Sequence, residues 1–220
     1  MISRLRTGST DERGMTLPEI MITMTLMSIV LLIVTSVLAS VQRTVTYEES
    51  LTRTLDAARL AVQELDRELR SGNVLYDPAL ENAPVGTPGR IASCTGCEPG
   101  YTLRVYTQTN ADTRGTYKCV LWKIDTGQRL MTRSWPPSDP TGATGWSIVT
   151  TGVVNRDLGI SAFALDPDVL KGGRTLNILY AINSNLAHRE GQTAKVQASL
   201  TGRNTSYGYP ANVCQQAPAG

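Results

Sequence analysis

Residues 14–42 read GMTLPEIMITMTLMSIVLLIVTSVLASVQ, and this stretch decides the architecture of the chain. From Ile20 to Gln42 run 23 residues without a charge. A helix of that length, at about 1.5 Å per residue, is about 35 Å long and exceeds a hydrocarbon core of about 30 Å. The block is therefore read as a transmembrane helix. A cleaved secretory signal would have a shorter apolar core, about 7 to 15 residues, followed by a small-residue cleavage site. Arg4, Arg6 and Arg13 precede the block, whereas Arg43 and Arg53 are the only basic residues soon after it. That bias predicts a cytoplasmic N-terminus and export of the bulk of the chain.

The helical period continues past the membrane block. Leu51, Leu55, Ala58, Val62, Leu65 and Leu69 recur at steps of four and three, which draws one apolar stripe. Between them stand Glu48, Glu49, Arg53, Asp56, Arg59, Glu64, Asp66, Arg67, Glu68 and Arg70, read as a solvated face. Ser71-Gly72-Asn73 is the expected stop, so one helix is predicted from about Thr16 to about Ser71. Beyond it Gly, Pro, Asn and Asp punctuate short runs rich in Val, Ile, Thr, Tyr and Trp, the pattern of antiparallel strands. The runs are Tyr101 to Gln108, Tyr117 to Ile124, Arg129 to Trp135, Trp146 to Val154, Leu176 to Ile182 and Val196 to Leu200. Asp77 to Arg90 and Pro136 to Gly145 read as loops, and Asn204 to Gly220 as a weakly structured tail. A sheet with one face to bury and a helix with one apolar stripe explain each other, which gives an α+β fold.

Composition limits the function. Hydrophobic residues make up 41% and charged residues 18% of the 220, with a formal net charge of +2. That balance excludes a disordered chain and a polytopic membrane protein, and supplies no electrostatic pull towards nucleic acid.

The most informative residues stand at the membrane entry, Arg13-Gly14-Met15-Thr16-Leu17-Pro18-Glu19-Ile20, where Glu19 is the only charge between Met15 and Arg43. A carboxylate at the head of a membrane segment is costly unless it is paired or near the interface, so it is a functional candidate. It also fits a capping box with Thr16, with Pro18 in the first turn. The glycine, the five-residue offset to glutamate, the short basic leader and the long apolar helix together resemble the class III signal of type IV prepilins and pseudopilins. The resemblance covers roughly residues 1–45 and departs from the family in two respects: Met15 stands where Phe is usual, and no proline interrupts Ile20 to Gln42. It implies cleavage after Gly14 by a prepilin peptidase, methylation of Met15, and pairing of Glu19 with the N-terminal amine of a neighbouring subunit. It further implies other pilin subunits, an inner-membrane assembly platform and membrane lipid as partners, and a pilin-like fold. The expected organisation is a leader over 1–14, a membrane or filament-core helix over 15–42, an amphipathic helix over 43–72, a β head over 73–203 and a tail over 204–220. Arg67-Glu68-Leu69-Arg70 and the strand Val196-Gln197-Ala198-Ser199-Leu200 resemble J-type and W-type minor subunits. The implied role is a non-enzymatic filament subunit of a pilus, secretion or DNA-uptake machine. The alternative is a membrane-anchored binding module that does not polymerise.

Cys94, Cys97, Cys119 and Cys214 all follow the membrane block, on the side expected to be oxidising, so two disulfides are predicted. Three connectivities are open. A hairpin turning near Ala111 to Gly115 sets Cys119 opposite residue 106, about 30 Å of extended chain from Cys97, which favours Cys94 with Cys97 and Cys119 with Cys214. A zinc site would need a second Cys or His pair that the sequence lacks, and a redox role would need a βαβ context. His188 reads as a loop residue and Asp166-Pro167-Asp168 as a turn rather than a calcium loop. No cofactor is expected. Arg104, Lys118, Lys123, Arg129 and Arg133 with Tyr106, Trp122 and Trp135 form either an ordinary solvent face or a basic aromatic face for nucleic acid strands.

Overall fold

The structure, a computed structural model, describes residues 14–88, 90–91, 94, 96–108, 117–168, 173–183, 193–202, 212–216 and 218. The leader 1–13, the hairpin tip 111–115, His188 and much of the expected tail lie outside the described residues. The chain divides into two units, Met1–Thr46 and Tyr47–Gly220. One helix, α1, runs over Leu17–Arg70 and contributes to both.

In the first unit α1 is apolar around its whole circumference, and its side chains are exposed. Its most apolar 18-residue window has a mean hydropathy of 2.4. Its hydroxyls turn inward on the helix itself. Thr23 donates to the Ile20 carbonyl at 2.9 Å, Ser28 to Met24 at 2.8 Å, Thr35 to Leu31 at 2.9 Å and Ser36 to Ile33 at 2.8 Å. Each hydroxyl is thereby satisfied without water, as a segment in hydrocarbon requires. The length and composition of α1 are those of a single-pass membrane anchor.

The second unit is built on two antiparallel sheets. The larger has the order β1 (Gly72–Leu75), β2 (Thr102–Gln108), β3 (Tyr117–Ile124), β4 (Arg129–Trp135) and β5 (Ser147–Thr151). The smaller has the order β6 (Phe163–Leu165), β7 (Thr175–Ile182) and β8 (Ala194–Thr201). The α1 stripe closes the main core: Ala58, Ala61, Leu65 and Leu69 are buried against Leu103, Val105, Val120, Trp122 and Ile124 of the larger sheet and Ile178 and Tyr180 of the smaller. Its outer face is laced by Glu49–Arg53, Asp56–Arg59, Glu64–Arg67 and Asp66–Arg70 ion pairs at helical spacing.

Several expectations are corrected. Two strands too short to read from pattern, β1 and β6, join the others. Gly72 is a strand start as well as a helix stop. A Cβ there would stand 3.0 Å from the Leu69 carbonyl and 3.1 Å from Val105, so a larger residue would have to push its neighbours aside where α1 passes straight into β1. The run Trp146 to Val154 is strand only over Ser147–Thr151, because Gly152 leaves it at φ +75° and Val153 bridges to Ile182 of the smaller sheet. The larger sheet buries both faces: β2 is buried from Thr102 through Thr107. Its second face is covered by Tyr76, Leu80, Ile91, Cys94 and Cys97 and, from the C-terminal segment, by Val213 and Cys214.

Glu68 also departs from the solvated face assigned to it. It is buried, accepting from Trp122 Nε1 at 2.8 Å and Lys118 Nζ at 3.3 Å. Thr107 Oγ1 donates to the Glu68 carbonyl at 3.0 Å and meets Ser71 Oγ at 2.7 Å, so a polar cluster pins the last turn of α1 to β2 and β3. Burial raises the Glu68 carboxyl above its ordinary range, outweighing the Trp122 and Lys118 contacts that lower it.

Two predictions follow from this packing. Leu65→Asp puts an unpaired carboxylate where Leu65 has no exposure, at a cost of several kcal/mol, and should abolish the near-UV circular dichroism of the full chain in detergent. A native spectrum would show that the stripe is not core. Glu68 binds its proton more tightly folded than unfolded, so its contribution is fully favourable at acid pH and is lost as pH rises. Glu68→Gln should therefore melt higher than wild type near pH 7, with the gap closing towards about pH 4. Melts across that range read the outcome, and a gap that widens on acidification contradicts it.

Candidate functional site

The membrane entry opens with an unwound lead into α1. Gly14 is exposed, and a Cβ built on it would meet nothing within 4 Å. The fold does not itself require glycine at this position. Met15 is 71% exposed, and the helix begins at Leu17 with Pro18 in its first turn, where the missing N–H costs nothing. The Thr16 carbonyl accepts from the amides of Glu19 at 3.0 Å and Ile20 at 3.2 Å. Among the described residues no hydrogen bond or ion pair engages the Glu19 side chain, and the side-chain bonds of a capping box are not formed. Glu19 thus sits exposed in the first turn, acidic at the helix end that favours negative charge.

A second polar constellation lies in the larger sheet. Strand alternation sets Arg104, Tyr106, Cys119, Leu121, Lys123, Arg133 and Trp135 on its second face, as the pairings Arg104 with Leu121 and Leu121 with Arg133 require. Arg104, Lys123, Arg133, Tyr106 and Trp135 are all buried. Both readings of the basic aromatic set, an open solvent face and a platform for strands, are corrected by that burial. Lys118 and Trp122 point to the opposite face and meet Glu68, and Arg129 is exposed and holds Asp125 at 2.5 Å.

Part of the cover over this face is the described portion of the expected tail, residues 212–216 and 218, which is held by several bonds. Arg104 pairs with buried Glu81 at 2.7 Å and donates to the carbonyls of Cys214 at 2.9 Å and Gln215 at 2.7 Å. Tyr76 Oη accepts from the Cys214 amide at 2.9 Å, and Arg133 donates to the Pro218 carbonyl at 2.6 Å. Cys119 is bonded to Cys214 with Cα atoms 5.7 Å apart, and Cys94 to Cys97 with Cα atoms 5.2 Å apart. Burial raises the Glu81 carboxyl, with Arg104 opposing the rise. Glu81 was missed because it lies in a stretch read as a loop. Its only signal was a charge among apolar and turn residues.

The Asp168 amide donates to Asp166 Oδ1 at 3.0 Å, a local turn. Among the described residues no cluster of three or more His, Cys, Asp or Glu could hold a metal ion.

The family model described as the prokaryotic N-terminal methylation motif matches residues 9–35. No curated protein and no solved structure matches the chain. The matched span contains Gly14, Met15 and Glu19 and runs directly into the apolar part of α1, so this chain carries the signature of type IV prepilins and pseudopilins.

Proposed function

We propose that the protein is a non-enzymatic filament subunit, stored in the membrane by α1, cleaved after Gly14, methylated on Met15 and assembled through Glu19. The observation that carries this reading is the coincidence of the methylation motif with the exposed, uncharged run Ile20 to Gln42 of α1, preceded by a first-turn carboxylate that has no partner among the described residues. A helix of that kind is stable in lipid or among copies of itself. In such a bundle the unengaged Glu19 would neutralise the new amine of an adjacent subunit, an interaction strengthened by low dielectric. Export of the Tyr47–Gly220 unit into an oxidising compartment agrees with its two disulfides. A minor, initiating or tip position, in a pilus or a type II secretion-like filament, is favoured by the likeness of Arg67-Glu68-Leu69-Arg70 and of β8 to J-type and W-type subunits. The partners on this reading are other pilin subunits, the prepilin peptidase, the assembly platform and membrane lipid.

Two measurements test it. N-terminal mass spectrometry should find Met15 as the first residue, carrying a methylated amine. Gly14→Val should leave the leader in place without disturbing the fold, since position 14 is open. Cleavage near Ser40 would instead indicate a conventional signal peptide, and full-length protein retaining Met1 would favour a non-polymerising anchored module. Glu19→Gln keeps the helix start, at a cost of about 1 kcal/mol or less, but removes the charge. The variant should be cleaved normally yet be depleted from sheared filaments, because an ammonium left unpaired in the bundle costs several kcal/mol. Equal incorporation of variant and wild type would reject the pairing.

A further inference from the structure

Among the described residues β1, β5, β6 and β8 stand at the ends of the two sheets. The β1–β2 and β4–β5 pairings each carry a register shift, and β6 has only 3 residues. β8 has 8 residues and pairs with β7 along its whole length without a shift. Folded proteins blunt such edges with proline, bulges or central charges. Between Ala194 and Thr201 the chain has no proline, and its one charge, Lys195, lies next to the first residue of the strand.

The direction of the free backbone groups follows from the ladder. The Gly202 amide donates to the Arg174 carbonyl at 2.8 Å, and Thr201 lies opposite Thr175. Strict alternation then turns the amides and carbonyls of Ala194, Val196, Ala198 and Leu200 towards β7. Lys195, Gln197, Ser199 and Thr201 turn theirs outward, where no backbone hydrogen bond engages them among the described residues. The side chains alternate as well. Ala194, Val196, Ala198 and Leu200 are half-buried, Val196 and Leu200 against the main core, and the residues between them are exposed. A row of unpaired backbone groups thus runs beside an apolar row that is only partly covered.

We propose that β8 is a docking edge for a second copy of this chain, whose own β8 adds antiparallel with Ala198 of both copies at a two-fold axis. In this register Lys195 of one copy faces Thr201 of the other and Gln197 faces Ser199, so every outward amide and carbonyl from 195 to 201 finds a partner. A one-residue slip sets outward groups against groups already committed to β7, and a two-residue slip takes an end residue off its partner strand. Val196 meets Leu200 across the axis in a non-hydrogen-bonded pair, where side chains approach most closely, and the small Ala198 side chains meet each other. The two half-covered apolar rows therefore cover one another. Charge fits the same register, because the two Lys195 ammoniums stand at opposite ends of the joined strands, about 20 Å apart, and no like charges face each other. Such a contact closes on itself and leaves neither β8 free for a third copy, so it joins two subunits and does not extend a filament. It does not rest on the filament reading.

The test uses the full chain in a non-ionic detergent. The native cysteines are all paired, so an introduced thiol is the free one. Under mild oxidation Ala198→Cys should give a disulfide-linked dimer on non-reducing electrophoresis, because the Cα atoms of such a facing pair lie about 4.5 Å apart, within the reach of a disulfide. Lys195→Cys, about 20 Å from its counterpart, should give about tenfold less. Comparable yields at the two positions, or no dimer from Ala198→Cys, overturn the proposal. Gln197→Pro removes an outward amide and no bond to β7, a substitution that edge strands accept, so adding it to Ala198→Cys should cut the dimer about tenfold with the near-UV circular dichroism unchanged. An undiminished yield would place the contact elsewhere, on α1, and overturns the proposal. If that variant does not fold, the comparison of positions 198 and 195 decides. In cell membranes, Ala198→Cys linked to a different protein in place of its own copy overturns the choice of occupant.

Discussion

The seat of α1 on the two sheets is the contact from which the rest of the Tyr47–Gly220 unit is organised. Ala58, Ala61, Leu65 and Leu69 of α1 are buried together in this core. The helix thereby covers one face of the larger sheet and the inner residues of the smaller sheet at once. Each fully buried leucine contributes about 1.5 to 3 kcal/mol by transfer alone, so Leu65 and Leu69 together add about 3 to 6 kcal/mol. Glu68 ties the last turn of α1 to Trp122 and Lys118 of β3, while burial penalises its charged form.

The opposite face of the larger sheet depends on a different solution. Its centre is polar, with Arg104, Lys123 and Arg133 on neighbouring strands, and charges cannot be buried by packing alone. The chain supplies acceptors from far along the sequence: Glu81 from the segment after β1, and the carbonyls of Cys214, Gln215 and Pro218 from the C-terminal segment. The Cys119–Cys214 bond, across a sequence separation of 95, ties that segment to β3. In the chain-entropy account a closed loop of about 100 residues removes about 4.7 kcal/mol of unfolded-state freedom. The cover is therefore held covalently and by several charge-assisted hydrogen bonds. Lys123 is the one member of the trio whose charge this scheme leaves without an acceptor among the described residues.

The N-terminal unit follows the rules of another solvent. A helix that is apolar all round, with its Ser and Thr hydroxyls bonded to its own carbonyls, has no polar demand to make of lipid or of similar helices. Glu19, the only charge between Met15 and Arg43, stands at the very start, where the helix end favours an anion.

The sequence by itself determined the parts that rest on local periodicity and local chemistry. The uncharged run from Ile20 to Gln42, the four-and-three stripe from Leu51 to Leu69 and the alternation of Leu176, Ile178, Tyr180 and Ile182 each specify an element and its buried side. Gly14, Met15 and Glu19 were legible because their spacing before an apolar helix is a local pattern. Tertiary structure alone decided that the larger sheet is covered twice, that residues 212–216 and 218 lie against it, and that Glu68, Arg104, Lys123 and Arg133 are inside. Alternating charges on a strand look the same whether water or a distant segment faces them. What buries Arg104 is a carbonyl 110 positions away, and no local period encodes a partner at that separation.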